Sequence, residues 1–113
     1  MEKIFERTKK QLVIDTFKNA LIDILGDSIQ EVILFGSQAR HEQELDSDYD
    51  MLIIAEGSVS EIKKKVREAE WICMEQLNAL VSSIIYTPEQ WSLVKESPLG
   101  WNILKDGKKV LYG

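Results

Sequence analysis

Two short segments carry residue types that could do chemistry together: Phe35-Gly36-Ser37-Gln38-Ala39-Arg40 and Ser47-Asp48-Tyr49-Asp50. In the first, a glycine and a serine end an apolar run and precede a stretch that can begin a short helix. Such a turn presents backbone N–H groups and a hydroxyl to an anion. Gly36 permits close backbone approach, and a helix N-terminus favours negative charge. Gly-Ser is also an ordinary turn, so this element alone is unspecific. The second segment places two carboxylates one residue apart at the entrance to an apolar strand. If extended, Asp48 and Asp50 point to the same face, with Cα atoms about 6.5–7 Å apart. Converging carboxylates repel unless a cation sits between them. Hard oxygen ligands of this kind suit Mg²⁺, which normally takes substrate phosphates as well. The plain alternative is a solvated acidic turn, because Glu42, Glu44 and Asp46 crowd the same loop.

These residues need a frame, and the hydrophobic pattern supplies one. Phe5, Leu12, Phe17, Leu21 and Ile24 recur at roughly helical spacing and Gly26 follows, which predicts an amphipathic helix near 3–25. Val32–Phe35 and Met51–Ala55 read as two short buried strands. Ser58 with Glu61 gives a capping-box signature. Behind it Ile62, Val66, Ala69, Cys73, Leu77 and Leu80 form one helical stripe. Val81–Tyr86 predicts a third strand. Thr87-Pro88-Glu89-Gln90 and Ser97-Pro98 each set a cap followed by proline at the first helical position, and Val110-Leu111-Tyr112 can close as a short strand. The order α-β-α-β-α-β-α has too few strands for a barrel. It predicts an α/β fold, a small mixed sheet of three to four strands packed with helices, in a single domain spanning 1–113.

Composition narrows the partners. The 113 residues carry 14 basic and 19 acidic side chains, a net charge of −5, with 44% hydrophobic and 29% charged residues. That is the balance of a globular protein and argues against bulk nucleic-acid binding, since few phosphates could be neutralised at once. One cysteine cannot form an internal disulfide, and no Cys/His cluster has zinc spacing. With no signal-like start and no apolar run long enough to span a bilayer, the expectation is a cytoplasmic protein with no membrane partner.

Taken together, Gly36-Ser37 and Asp48-x-Asp50, with ten residues between Ser37 and Asp48 and an apolar strand on either side, are far more specific than either alone. The pattern resembles the minimal nucleotidyltransferases (MNT domains) of the polymerase-beta superfamily. The likeness extends over the leading helix, Leu34 to Arg40, Ser47 to Asp50, Tyr86 to Glu89, and the ending Ile103 to Tyr112. It implies the nucleotidyltransferase fold and transfer of a nucleoside monophosphate, AMP by expectation, from an NTP to an acceptor hydroxyl with release of pyrophosphate. Gly36 and Ser37 are then expected to contact the phosphates of the bound nucleotide (ATP by expectation), and Asp48 and Asp50 to bind Mg²⁺ as the catalytic residues. Arg40 either helps to neutralise phosphate or pairs with a loop acid. Domains of this size commonly pair with a helical HEPN protein, in some cases as antitoxin to an RNase toxin. That implies a protein partner as acceptor, and an oligomer is compatible with it.

The sequence departs from the pattern in two places. Active members usually carry a third carboxylate on the next strand, and here that position falls on Ser82, or on Ser83 with a one-residue slip; no Asp or Glu occurs from 76 to 88. Serine cannot act unaided as a general base near neutral pH. His41 stands where the family often has glycine, and reads as a loop residue or as a proton acceptor. The alternative to a working transferase is therefore a degenerate module on the same fold that binds nucleotide or a partner protein without turnover. Cys73 is expected in the core. Trp71, Trp91 and Trp101 are expected to complete the core, with an exposed interface as the alternative for some of them, and Lys63-Lys64-Lys65 with Arg67 to form a solvated face.

Overall fold

The computed structural model describes residues 8–36, 39 and 48–112. Helix α1 (Lys9–Leu25) starts where the Thr8 side chain accepts a hydrogen bond from the Gln11 N–H, and a 3₁₀ turn over Gly26–Ser28 leads into β1 (Ile29–Phe35). β2 spans Tyr49–Ala55. α2 (Val59–Leu77) is capped by the Ser58 hydroxyl and stopped by Asn78, whose left-handed backbone returns its N–H to the carbonyls of Cys73 and Met74. After β3 (Val81–Tyr86), α3 (Pro88–Val94) opens with a complete capping box between Thr87 and Gln90. α4 (Pro98–Asp106) follows with Ser97 as its cap, and β4 (Lys108–Tyr112) ends the fold.

The strands form one mixed sheet in the order β3-β2-β1-β4. β1 is antiparallel to both β2 and β4, while β2 and β3 are parallel and joined through α2. Both faces are covered, which is why β1 and β2 read as continuous apolar runs rather than as alternating ones. On one face α1 and α2 bury Phe17, Leu21, Val66 and Cys73 against Val32, Leu34, Met51 and Ile53. On the other, α3 and α4 bring Trp91 and Ile103 onto Ile33, Leu52 and Ile54.

The α/β expectation holds, with four strands. The first helix is described from Lys9 onward, so Phe5 lies outside the described residues. Two expectations are corrected. Leu80 does not extend the stripe of α2: the helix ends at Leu77, and Leu80 is exposed beyond the Asn78 cap. Of the three tryptophans only Trp91 joins the core, where it stacks near Tyr86; Trp71 and Trp101 are 62% and 61% exposed, because their helices bury other faces.

Candidate functional site

The register of the central strands decides which candidate residues meet. Asp50 on β2 is opposite Phe35 at the end of β1 and opposite Ser82 on β3. Residues paired across a sheet project to the same face, so Asp50 and Ser82 are lateral neighbours about one strand spacing apart. Tyr49 points the other way. Its side chain is buried under α1 and α2, which pushes the pKa of its phenol up, and its N–H donates to the Leu80 carbonyl at 2.9 Å. With Tyr49 turned into the core, strand alternation leaves Asp48 and Asp50 to the opposite face. Asp48 is exposed and Asp50 half-buried.

Gly36 completes the described part of the site. Its φ of +79° is a conformation that residues with a Cβ rarely adopt. A Cβ here would run into the Oδ2 of Asp50 and lie 3.3 Å from its Cγ and 3.4 Å from its Cβ. The glycine thus serves the turn and also leaves room for the carboxylate of the neighbouring strand. Ser37, Arg40 and His41 lie outside the described residues; Ala39 is helical and buried in the core.

The position expected for a third carboxylate is Ser82 and not Ser83. Ser82 pairs with Asp50, whereas Ser83 pairs with Met51 on the other face, where its Oγ is buried without a hydrogen-bond partner. Among the described residues no three Asp, Glu, His or Cys side chains gather to hold a metal. The described residues therefore offer two carboxylates on one face, beside the glycine that ends β1, with a small hydroxyl where a further acid could stand.

Two grooves nearby escaped the sequence reading. One, of about 400 Å³, lies between α1 and β4 and gathers Lys10, Lys18 and Lys108; burial, and then the charge of Lys108, push the pKa of Lys10 below the ordinary lysine value. The other, of about 350 Å³, runs between α2 and β3 and is lined by Lys63, Arg67, Ser82 and Ser83. The basic run on α2 is exposed, as expected of a solvated face, and Lys63 and Arg67 also border this groove. The signal that could have found this groove is the i, i+4 spacing of Lys63 and Arg67 on the side of the helix toward β3.

Comparison with known proteins bears on the family and the fold. The family model for the nucleotidyltransferase domain matches residues 14–99. A Methanocaldococcus jannaschii protein named as a candidate protein adenylyltransferase is 36% identical over 76 residues, which is 66% of this chain and 76% of that protein. In fold, the chain is similar to a toxin–antitoxin crystal structure with AMP-PNP (TM-score 0.65, 19% identity, 88% of this chain and 73% of that one). It is also similar to a structure of the tri-AMPylated Shewanella oneidensis HEPN toxin in complex with MNT antitoxin (TM-score 0.60, 18% identity, 92% and 73%). A nucleotidyltransferase-like protein of Sulfolobus solfataricus gives a TM-score of 0.57 at 19% identity, covering 89% of this chain and 81% of that one. The order of strands, the glycine turned against Asp50 and a family match over most of the sequence lead to one conclusion: this chain belongs to the nucleotidyltransferase domain family, and is a nucleotidyltransferase.

Proposed function

We propose that the chain works as a single nucleotidyltransferase-like domain over residues 1–113, moving AMP from ATP to a hydroxyl of a protein partner in the cytoplasm. The observation that carries this reading is the apposition of Gly36 and Asp50, which puts a phosphate-competent turn directly against one of two carboxylates on a single face. The protein-adenylyltransferase name of the archaeal relative supports a protein acceptor, and the structural neighbours that join an MNT antitoxin to a HEPN toxin support a helical HEPN-type partner.

In this reading Gly36 and Ser37 hold the phosphates and Arg40 adds positive charge beside them. Asp48 and Asp50 fit Mg²⁺ in donor chemistry, being hard oxygens on one face with room for the Asp50 carboxylate where a Cβ would otherwise lie. A bound Mg²⁺ would supply charge neutralisation at the transferring phosphate. Transfer forms a bond from the acceptor oxygen to the α-phosphorus and breaks the α–β bridge, so pyrophosphate leaves. The acceptor's proton must also leave, and Ser82 cannot take it unaided near neutral pH. That proton passes to a group of the acceptor protein or to water.

The serine at 82 favours a second reading, in which the fold binds nucleotide or covers a partner without turnover. Calorimetric titration of ATP, with and without Mg²⁺, on wild type, Asp48→Asn and Asp50→Asn tests the site. Metal-dependent binding that both variants lose is the expected result; metal-dependent binding that survives both substitutions removes these carboxylates from the site. Transfer of labelled AMP to a co-purified HEPN partner then separates turnover from binding alone.

A further inference from the structure

The border of the sheet at β3 carries features that the nucleotide site does not account for. β3 is an edge strand, and no described residue pairs with its outward backbone groups. Beside it run two hollows of about 350 and 290 Å³ that share Lys63, Ser83 and Ile85, so they form one continuous trough along the strand. Its floor is apolar where Ile85, on the α2 side of the strand, is only partly covered. Its wall is cationic where Lys63 and Arg67 stand one helical turn apart on α2; Glu70 closes the end near Leu80. The buried, unpartnered Oγ of Ser83 lies within it.

An unpaired edge is a template for a further strand, and main-chain hydrogen bonds supply affinity while alternate side chains supply selectivity. Two cations on the wall of an otherwise acidic chain choose an acidic occupant. The register then sets geometry. A residue docked opposite Ser82 projects to the face of Asp50, its Cα roughly 10 Å from that of Asp50, with only the small serine side chain between. We propose that this trough takes an extended, acidic protein segment as a fifth strand, so that a side chain of that segment reaches past Ser82 toward Asp48 and Asp50. The docking stands on the edge and its charges; the role of that side chain as acceptor rests on the nucleotidyl-transfer reading above.

The test uses the full chain and a labelled eight-residue peptide of alternating Glu and Val, its Lys-for-Glu counterpart, and a copy N-methylated at alternate residues, followed by fluorescence anisotropy. The acidic peptide should bind and the N-methylated copy should not. The double variant Lys63→Glu/Arg67→Glu should weaken the acidic peptide by roughly tenfold or more and favour the lysine peptide. In Ser82→Cys, disulfide trapping should succeed with cysteines at alternate peptide positions and fail between them. Equal binding of both peptides, insensitivity to the charge reversal, or trapping at every position overturns the proposal. So does a uridine oligonucleotide that binds in their place through Lys63 and Arg67, or a dimer of this chain that buries the same edge. Titration of Mg²⁺ and ATP on the charge-reversed variant should match wild type. If wild type itself binds no nucleotide while the peptide pattern holds, the docking stands and the acceptor role falls.

Discussion

Gly36→Ala separates the two duties assigned to this glycine. The backbone at residue 36 has φ +79°, and a side chain there costs roughly 1–2 kcal/mol from backbone strain alone. The added methyl also conflicts with Asp50 Oδ2, and the Cγ and Cβ of that residue lie too close to absorb it without movement. Because the conflicting atom is the far end of a side chain, the carboxylate can turn away at little cost to folding. The stability loss should therefore stay near the backbone figure, a minor part of the ~5–15 kcal/mol that holds a domain together. For a chain of this size that lowers the melting temperature by roughly 5–10 °C. The functional loss should be larger, since Asp50 leaves the face it shares with Asp48. Thermal unfolding by circular dichroism and calorimetric titration of ATP with Mg²⁺ should be run on Gly36→Ala beside Asp50→Asn. The expected result is a folded Gly36→Ala protein whose metal-dependent nucleotide binding is as weak as that of Asp50→Asn. If Gly36→Ala loses stability yet binds nucleotide within about twofold of wild type, the close approach does not position Asp50 and the reasoning from Gly36 fails.

Ser82→Asp places a carboxylate in register with Asp50 and should raise transfer to a given acceptor by roughly 10²-fold or more, the usual worth of a positioned base, measured as labelled AMP incorporated. The same variant should gain thermal stability on adding Mg²⁺ more steeply than wild type, because the paired acids repel until a cation joins them. Cys73 is fully buried, and desolvation, followed by the charge of Glu70, pushes its pKa up to about 11. Its thiol should resist alkylation at pH 8 in the folded protein and react freely once urea unfolds it. Since the folded state disfavours the thiolate, this group's contribution to stability is intact below the ordinary cysteine pKa and falls as pH rises from there through about 11, which denaturation midpoints across that window will show. Gly100→Ala puts a Cβ onto the backbone of Val94 and Lys95, where nothing can swing aside, and should cost at least roughly 1–3 kcal/mol in urea titration while leaving nucleotide affinity unchanged in the folded fraction.

Much of this protein is legible in its sequence because local signals and burial agree. The Thr87-Pro88 and Ser97-Pro98 caps start the helices they announce, and the apolar run Met51–Ala55 is buried on both faces as such a run requires. Motif alignment narrows the position of a third carboxylate to Ser82 or Ser83, but strand register is a tertiary property and only the sheet sets Ser82 beside Asp50. Trp71 and Trp101 misled because their size favours burial, while the stripe of each helix is set by its smaller neighbours Ala69, Cys73, Gly100 and Ile103. The trough beside β3 is hidden for a similar reason: it is made of two elements, and only the fold shows that the exposed Lys63 and Arg67 border β3.

Ser82 links these strands of reasoning. An acidic residue at that position would add a third negative charge beside Asp48 and Asp50 and fill the space between Asp50 and the edge of the sheet. Serine does neither. Two carboxylates can balance one divalent ion and leave no excess charge to hold it alone, so in this reading the phosphates of the nucleotide must share in binding it. The same small side chain is all that the sheet places between Asp50 and a residue arriving at the β3 edge from outside. Loss of a base and gain of an approach are then two consequences of one substitution, and both point to an acceptor that brings part of the chemistry with it. A free small molecule would have to find that position with few contacts. A protein segment held along the edge by backbone pairing, and by Lys63 and Arg67, would arrive with its orientation already set, where proximity can make up for a missing base.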